Sequence, residues 1–211
     1  VKVVSTILLV MSLGSVSLAQ ESAPRVGRSA AAKYFQSTDR EPAQNGSSGF
    51  AGPEDHYLAI HFGTYMGSQS YEWGKNGAED KVGKNMFGVT YRVGEWYRSM
   101  DLALRIDYTE YDVAGERPTK LTIMPLITFP DAGSRFPLYF GAGIGPGVFF
   151  KQVDGKSALS LDYQLVAGAR FFNVFENTGF FIETGLKNHL HLLSSGQLNG
   201  TFLAFGLVFT F

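Results

Sequence analysis

Cysteine is absent from the 211 residues, which excludes disulfide cross-links, thiolate metal centres and cysteine nucleophiles. An excess of charge of one sign is missing as well. The 18 Lys and Arg stand against 19 Asp and Glu, a formal net charge of -1, so the chain carries neither the basic footprint of nucleic-acid binding nor an acidic tail. Charged residues make up only 18%. No tight ligand spacing such as His-x-x-x-His is found, which leaves no metal site to name. Gly141, Gly143 and Gly145 look superficially like a phosphate-binding glycine run, but the strand-then-helix context that gives such a run its chemistry is lacking. No cofactor, metal or nucleic-acid partner is therefore expected.

What is abundant points elsewhere. The chain holds 25 Gly, 18 Phe and 10 Tyr, and 45% of it is hydrophobic. Glycine together with aromatics suits strands that bend tightly and carry rings on one face. The first residues read as an export signal. Lys2 precedes the apolar stretch Val3 to Val10, and the small residues around Ser17-Leu18-Ala19 give a cleavage site after Ala19. That stretch is too short to span a bilayer as a helix. Residues 1-19 are thus read as a signal peptide. Residues 20-54, rich in Ser, Ala, Arg, Gln, Gly and Pro with no apolar period, are read as a flexible periplasmic leader with a short helix near Ser29 to Phe35.

From residue 55 to 211 the pattern changes to segments of about ten residues that alternate between two faces and are separated by turn residues. They run from about Tyr57 to Gly67, Asn85 to Gly94, Met100 to Val113, Thr119 to Phe129, Pro137 to Gln152, Leu159 to Phe172 and Gly179 to Leu190, and the last ends the chain at Phe211. This predicts an all-β, closed antiparallel barrel of about eight strands with both termini at one end. Pro125 lies inside the fourth segment, and since proline cannot donate to a ladder a bulge or a shortened strand is expected there. Gly94 to Ser99, Pro130 to Phe136 and Asn173 to Thr178 read as the short turns at the terminal end. Ser68 to Lys84 reads as the longest loop at the other.

The charges keep to one parity. Arg92, Arg105, Asp107, Asp162, Arg170, Glu183 and Lys187 all lie opposite the apolar row, and His61 shares their face. A soluble lipocalin-type barrel needs the reverse, an apolar pocket and a polar exterior. A charge facing lipid at the midplane costs about 2–4 kcal/mol, so the apolar row belongs outside and these eight residues form a polar network filling the lumen. Aromatics near segment ends, Tyr57, Trp96, Tyr97, Phe129, Phe136 and Phe175 at one rim and Tyr71, Trp73, Tyr111, Phe149 and Phe150 at the other, read as interfacial girdles.

The final alternation, with Phe205, Leu207, Phe209 and the terminal Phe211 on one face, resembles the C-terminal assembly signal of bacterial outer-membrane proteins. Together with the alternating segments it makes the barrel similar to the OmpA-like or OmpW-like small outer-membrane barrels. That resemblance implies insertion by the barrel assembly machinery and a surrounding of outer-membrane lipid and lipopolysaccharide. It implies a non-enzymatic structural or surface-contact role. Two alternatives follow it: a narrow OmpW-like path for small apolar compounds, for which Met86, Met124, Leu126, Phe181 and Phe202 supply apolar inward positions, and a lipid A-modifying hydrolase, for which His189, His191, Ser194 and Ser195 supply the residue types. The spacing His191-Leu192-Leu193-Ser194 departs from the His-x-Ser-Asn pattern of such enzymes, and no acidic partner is identifiable in sequence.

Overall fold

Alternation at period two, sustained over segments rich in aromatic and β-branched residues, folds into nine strands among the described residues. They are β1 (Tyr57–Tyr71), β2 (Ala78–Asp80), β3 (Gly83–Glu95), β4 (Asp101–Tyr111), β5 (Thr119–Phe129), β6 (Leu138–Lys151), β7 (Leu159–Phe175), β8 (Thr178–His191) and β9 (Gln197–Thr210). The computed structural model describes residues 56–72, 78–113, 115–134, 136–152 and 155–211. The signal peptide, the leader with its short helix and Trp73 lie outside the described residues. Each long strand pairs antiparallel with the next, and β1 pairs with β9, so eight strands close on themselves while β2 only extends the far end of β1. Closure pairs the edges that an open sheet would leave to water, which is what lets a sheet cross lipid.

Register around the ring is staggered. Starting at His61 and stepping through its partners Gly88, Asp107, Thr122, Gly147, Ser160 and His191 leads to the far end of the barrel rather than back to His61. This shear accompanies the tilt that any closed barrel requires. It also brings residues distant in sequence to one height inside.

Burial follows the pleat with inverted polarity. On β4, Asp101, Ala103, Arg105, Asp107, Thr109 and Tyr111 are buried, while Leu104, Ile106 and Tyr108 face out. Phe205 and Phe140 are about 60% and 59% exposed, yet Lys120 and Lys187 are at 0%. On β7 the outward row from Leu159 to Phe171 is about 40 Å long at ~3.3 Å per residue. At a tilt of ~40° it stands about 30 Å tall, the thickness of a bilayer's hydrocarbon. A wall of this kind is a lipid-facing wall, and the chain is a transmembrane β-barrel.

Several expectations need correction. β1 runs on to Tyr71, and Ser68 to Tyr71 belong to the sheet, not to a loop. A bulge between Tyr65 and Gly67 flips the alternation there, so the pattern only looks as if it stops. Pro125 causes no bulge and no shortening. Leu104 faces it without offset, and toward β6 the pairs Thr122 with Gly147 and Leu126 with Gly143 fall on one register. The ladder is simply unpaired between them, where Pro125 and Pro146 from the two strands withhold N–H donors. β7 continues past Phe172 through an irregular stretch to Phe175, leaving Glu176 and Asn177 as the turn.

Within the strands the rim aromatics divide by parity. Phe129, Phe150 and Phe175 face outward, but Tyr57, Tyr111 and Phe149 are buried in the lumen, while Trp96, Tyr97 and Phe136 stand exposed in the turns. Nearness to a strand end does not decide which way a side chain points. The pleat does.

Candidate functional site

The lumen is built as layers of charge between plugs of apolar side chains. Near the terminal end, the Arg92 guanidinium donates to Asp101 from Nε at 2.8 Å and Nη2 at 2.7 Å. The other Asp101 oxygen accepts the Ala132 amide at 2.6 Å, which ties down the β5–β6 turn. Within that turn, burial and the neighbouring Asp101 and Glu95 hold the Asp131 carboxyl above its ordinary value. Arg170 donates to the Tyr57 hydroxyl at 2.8 Å and to the Pro130 carbonyl at 3.1 Å. Its guanidinium stacks 4.2 Å from the Tyr139 ring centre, with Tyr57 and Phe172 also in cation–π range.

At the next level Arg105 grips Glu183 with both terminal nitrogens, at 2.7 and 2.9 Å, while its Nε donates to Thr90 Oγ1 at 3.0 Å. Tyr139 donates to the same carboxylate at 2.7 Å. This is the fork-to-fork geometry in which a buried ion pair is best compensated. Asp107 lies one step farther in, held by Lys187 and by His61 Nε2 at 3.0 Å. Gly88 makes that contact geometrically allowed. A Cβ there would lie 2.2 Å from Asp107 Oδ1 and 2.6 Å from His61 Nε2.

The layer nearest the far end centres on Asp162. Lys120 reaches it at 2.7 Å, His189 Nδ1 at 2.9 Å and the Ser160 hydroxyl at 2.6 Å, and Thr122 donates to it as well. His189 Nε2 meets the Tyr111 hydroxyl at 2.6 Å and that of Tyr65 at 3.2 Å. Gly147 again leaves room: a Cβ would sit 2.5 Å from Ser160 Oγ. The row of glycines along β6 thus faces the crowded interior, where side chains from neighbouring strands occupy the volume a Cβ would need.

Between these layers sit apolar clusters. One joins Met86, Leu126, Tyr139, Val166, Phe202 and Ala204 across the middle, and others close each end. Met124 is fully buried, and Phe181 packs with Tyr57 and Phe172. These side chains fill the lumen rather than line a path. A void of about 20 Å³ beside Thr90, Arg105, Thr128 and Arg170 has room for one water.

All eight residues that parity assigned to the lumen, His61, Arg92, Arg105, Asp107, Asp162, Arg170, Glu183 and Lys187, are buried there. Parity also marks Lys120 and Asp101 as inward, yet sequence reasoning left them out of the network. Parity likewise puts Tyr65 and Tyr139 inside without naming their hydroxyls as partners, and Tyr111, near a strand end, looks like a girdle residue. Phe205, Leu207 and Phe209 lie on the outward row of β9, and Phe211 follows its end, exposed.

The serine and histidine pairs are not brought into nucleophilic geometry. His189 and His191 point inward, and both nitrogens of His189 are committed to Asp162 and Lys120 on one side and to tyrosine hydroxyls on the other. Neither is left to take a proton from a serine. His191 stacks on Phe149, with ring centres 5.4 Å apart. Ser194 Oγ accepts the Ser157 amide at 3.0 Å, and the Ser195 carbonyl accepts Lys156 at 3.1 Å. These contacts clasp two loops at the far rim.

No protein-family model matches the sequence, and no curated protein matches it either. Solved structures do. The outer membrane enzyme PagL superposes with a TM-score of 0.50 at 16% identity, over 74% of this chain and 99% of that one. Neisserial surface protein A (NspA) gives 0.48 at 14% identity over 74% and 97%. Ail, the attachment invasion locus protein of Yersinia pestis, gives 0.39 at 16% over 75% and 99%. At such identities the likeness speaks for the fold alone, the closed eight-stranded barrel of small outer-membrane proteins.

Proposed function

We propose that this chain is a non-enzymatic outer-membrane barrel, a closed wall element that holds its far-rim loops at the cell surface, with both termini in the periplasm. One observation carries the reading. Among the described residues the lumen is layered with ion pairs and apolar side chains, and the void beside Arg105 and Arg170 admits about one water. Passing a solute would mean separating charges that have no water to receive them, and each such separation costs several kcal/mol. The outward Phe205, Leu207, Phe209 and Phe211 support recognition of the last strand by the barrel assembly machinery.

The test is electrical. Full-length protein folded in detergent, verified by a heat-modifiable band on an SDS gel, goes into a planar bilayer at neutral pH. The expected result is a folded protein without resolved channel steps. Stable openings in the same preparation would favour the narrow-channel alternative. Hydrolysis of an acylated glycolipid by the pure protein, abolished by His189→Ala, would favour the hydrolase.

A further inference from the structure

The carboxylates on the lumen face of the strands each hold one basic side chain. Asp101 holds Arg92, Glu183 holds Arg105, Asp107 holds Lys187 and Asp162 holds Lys120. Arg170 is buried as well, and among the described residues no carboxylate lies within ion-pair distance of it. Its partners are all neutral: the Tyr57 hydroxyl, the Pro130 carbonyl and the rings of Tyr139, Tyr57 and Phe172. A guanidinium has five N–H donors, and those two hydrogen bonds engage only two of them. Neither of the acids at the terminal end completes the set. Asp101 gives one oxygen to Arg92 and the other to the Ala132 amide. Asp131 lies in the turn with Asp101, Glu95 and Arg92 as its charged neighbours.

Arg170 lines the void of about 20 Å³ between its own layer and that of Arg105 and Glu183. Thr128, 2% exposed, lines the same void, and its hydroxyl has no hydrogen-bond partner. Thr90 lines it too. Its Oγ1 accepts from Arg105 Nε, which leaves the hydroxyl proton to donate. The rest of the wall is largely apolar, with Leu126, Phe181 and Val208, and no carboxylate takes part in it. Donors therefore converge on a space beside a cation that lacks a counter-charge. A water placed there would bring two protons that need acceptors of their own. A negative charge accepts from every side and neutralises the guanidinium, and a buried charge is tolerated when it is paired.

We propose that this void binds one small monovalent anion, a halide such as chloride, held by the Arg170 guanidinium and the hydroxyls of Thr128 and Thr90. Size and charge set the class. A halide is little larger than the water that a void of this volume admits, whereas sulfate, phosphate and carboxylates are too large, and a single charge is what Arg170 lacks. The cluster of Tyr57, Ala132 and Phe172 closes that end of the lumen, so the ion is enclosed as the barrel forms and leaves when the barrel opens. Such a site depends on the closed barrel and not on which membrane surrounds it.

For the test, full-length protein is folded in detergent with sodium bromide as the only halide and crystallised, and diffraction is recorded at the bromine absorption edge. One anomalous peak is expected in the void, within hydrogen-bond distance of Thr128 Oγ1 and the Arg170 guanidinium. Bromide confined to the protein surface, an adventitious ion only, would overturn the site. Urea unfolding supplies a second readout, with chloride exchanged at constant ionic strength for gluconate, which the void cannot hold. The folded-to-unfolded ratio at a fixed urea concentration is expected to rise about tenfold for each tenfold increase in chloride above the dissociation constant, as binding at one site requires. Arg170→Met abolishes that dependence. Thr128→Val, which keeps the shape of the side chain, moves it to several-fold higher chloride, and Lys84→Ala at the exposed far rim leaves it unchanged. Chloride dependence that survives Arg170→Met, or its absence in the parent protein, would overturn the proposal. If Arg170→Met does not fold, the bromide peak and Thr128→Val decide the matter.

Discussion

Two ion-pair centres inside one barrel solve the same problem differently. Glu183 is held by a guanidinium fork plus one tyrosine, every contact at ordinary hydrogen-bond length, with Arg105 anchored a third time on Thr90. Asp162 gathers a lysine, a histidine, a serine and a threonine, and spreads its charge into a tyrosine pair beyond. The first is planar, rigid and unable to shed its proton. The second is a branched cluster in which a flexible lysine and a histidine share the carboxylate with two hydroxyls. The same low-dielectric space thus holds one centre that fails abruptly when a partner is lost and one that yields.

Removing each carboxylate tests this difference and carries the largest expected effect. Glu183→Ala leaves Arg105 buried and charged and is expected to cost about 3–5 kcal/mol. Asp162→Ala leaves Lys120 with Ser160 and His189 still within reach, and its cost at neutral pH stays below that of Glu183→Ala. Urea unfolding from lipid vesicles, followed by tryptophan fluorescence, measures both. Equal losses would mean that the choice of arginine or lysine does not matter here. Gly88→Ala comes next. The added methyl collides with the His61–Asp107 contact that lies between the two centres, and an overpacking cost of about 1–3 kcal/mol is expected in the same assay. If the variant is as stable as the parent, the pair has room to move and the crowding argument fails.

The smallest effect belongs to the terminal end, outside the spanning strands. The carboxyl of Asp131 is held above its ordinary 3.8 by burial and by Asp101 and Glu95. The folded chain therefore binds this proton more tightly than the unfolded one, and the associated stability is present at low pH. It is lost as pH rises from 3.8 through the raised folded value. Asp131→Asn removes that slope. The variant should gain a little stability relative to the parent as pH increases through this window, and a parallel pH profile for the two proteins would refute the assignment.

Much of this molecule is legible without coordinates because a strand has a strict period of two. The alternation of Leu104, Ile106 and Tyr108 with Arg105 and Asp107 assigns the two faces of β4, and the segregation of charge onto one parity decides which faces lipid. The failures have local causes. At Tyr65/Gly67 one extra residue inverts the parity, hiding Ser68 to Tyr71. At Pro125 a rule about donors forecast a bulge, but a second proline on β6, Pro146, sits across the same gap, so the register passes through intact. Nearness to a strand end misplaces Tyr57, Tyr111 and Phe149, which the pleat turns inward.

The chain's one-dimensional pattern, then, determined a closed antiparallel barrel with charge inside and apolar residues outside, since each choice rests on neighbours two residues apart. Which charges meet was decided by the tertiary structure alone. Arg105 finds Glu183, and Lys120 finds Asp162 and His189, across strands distant in sequence. The stagger of the closed ring sets their common height, and shear is a property of the whole sheet that no single segment encodes.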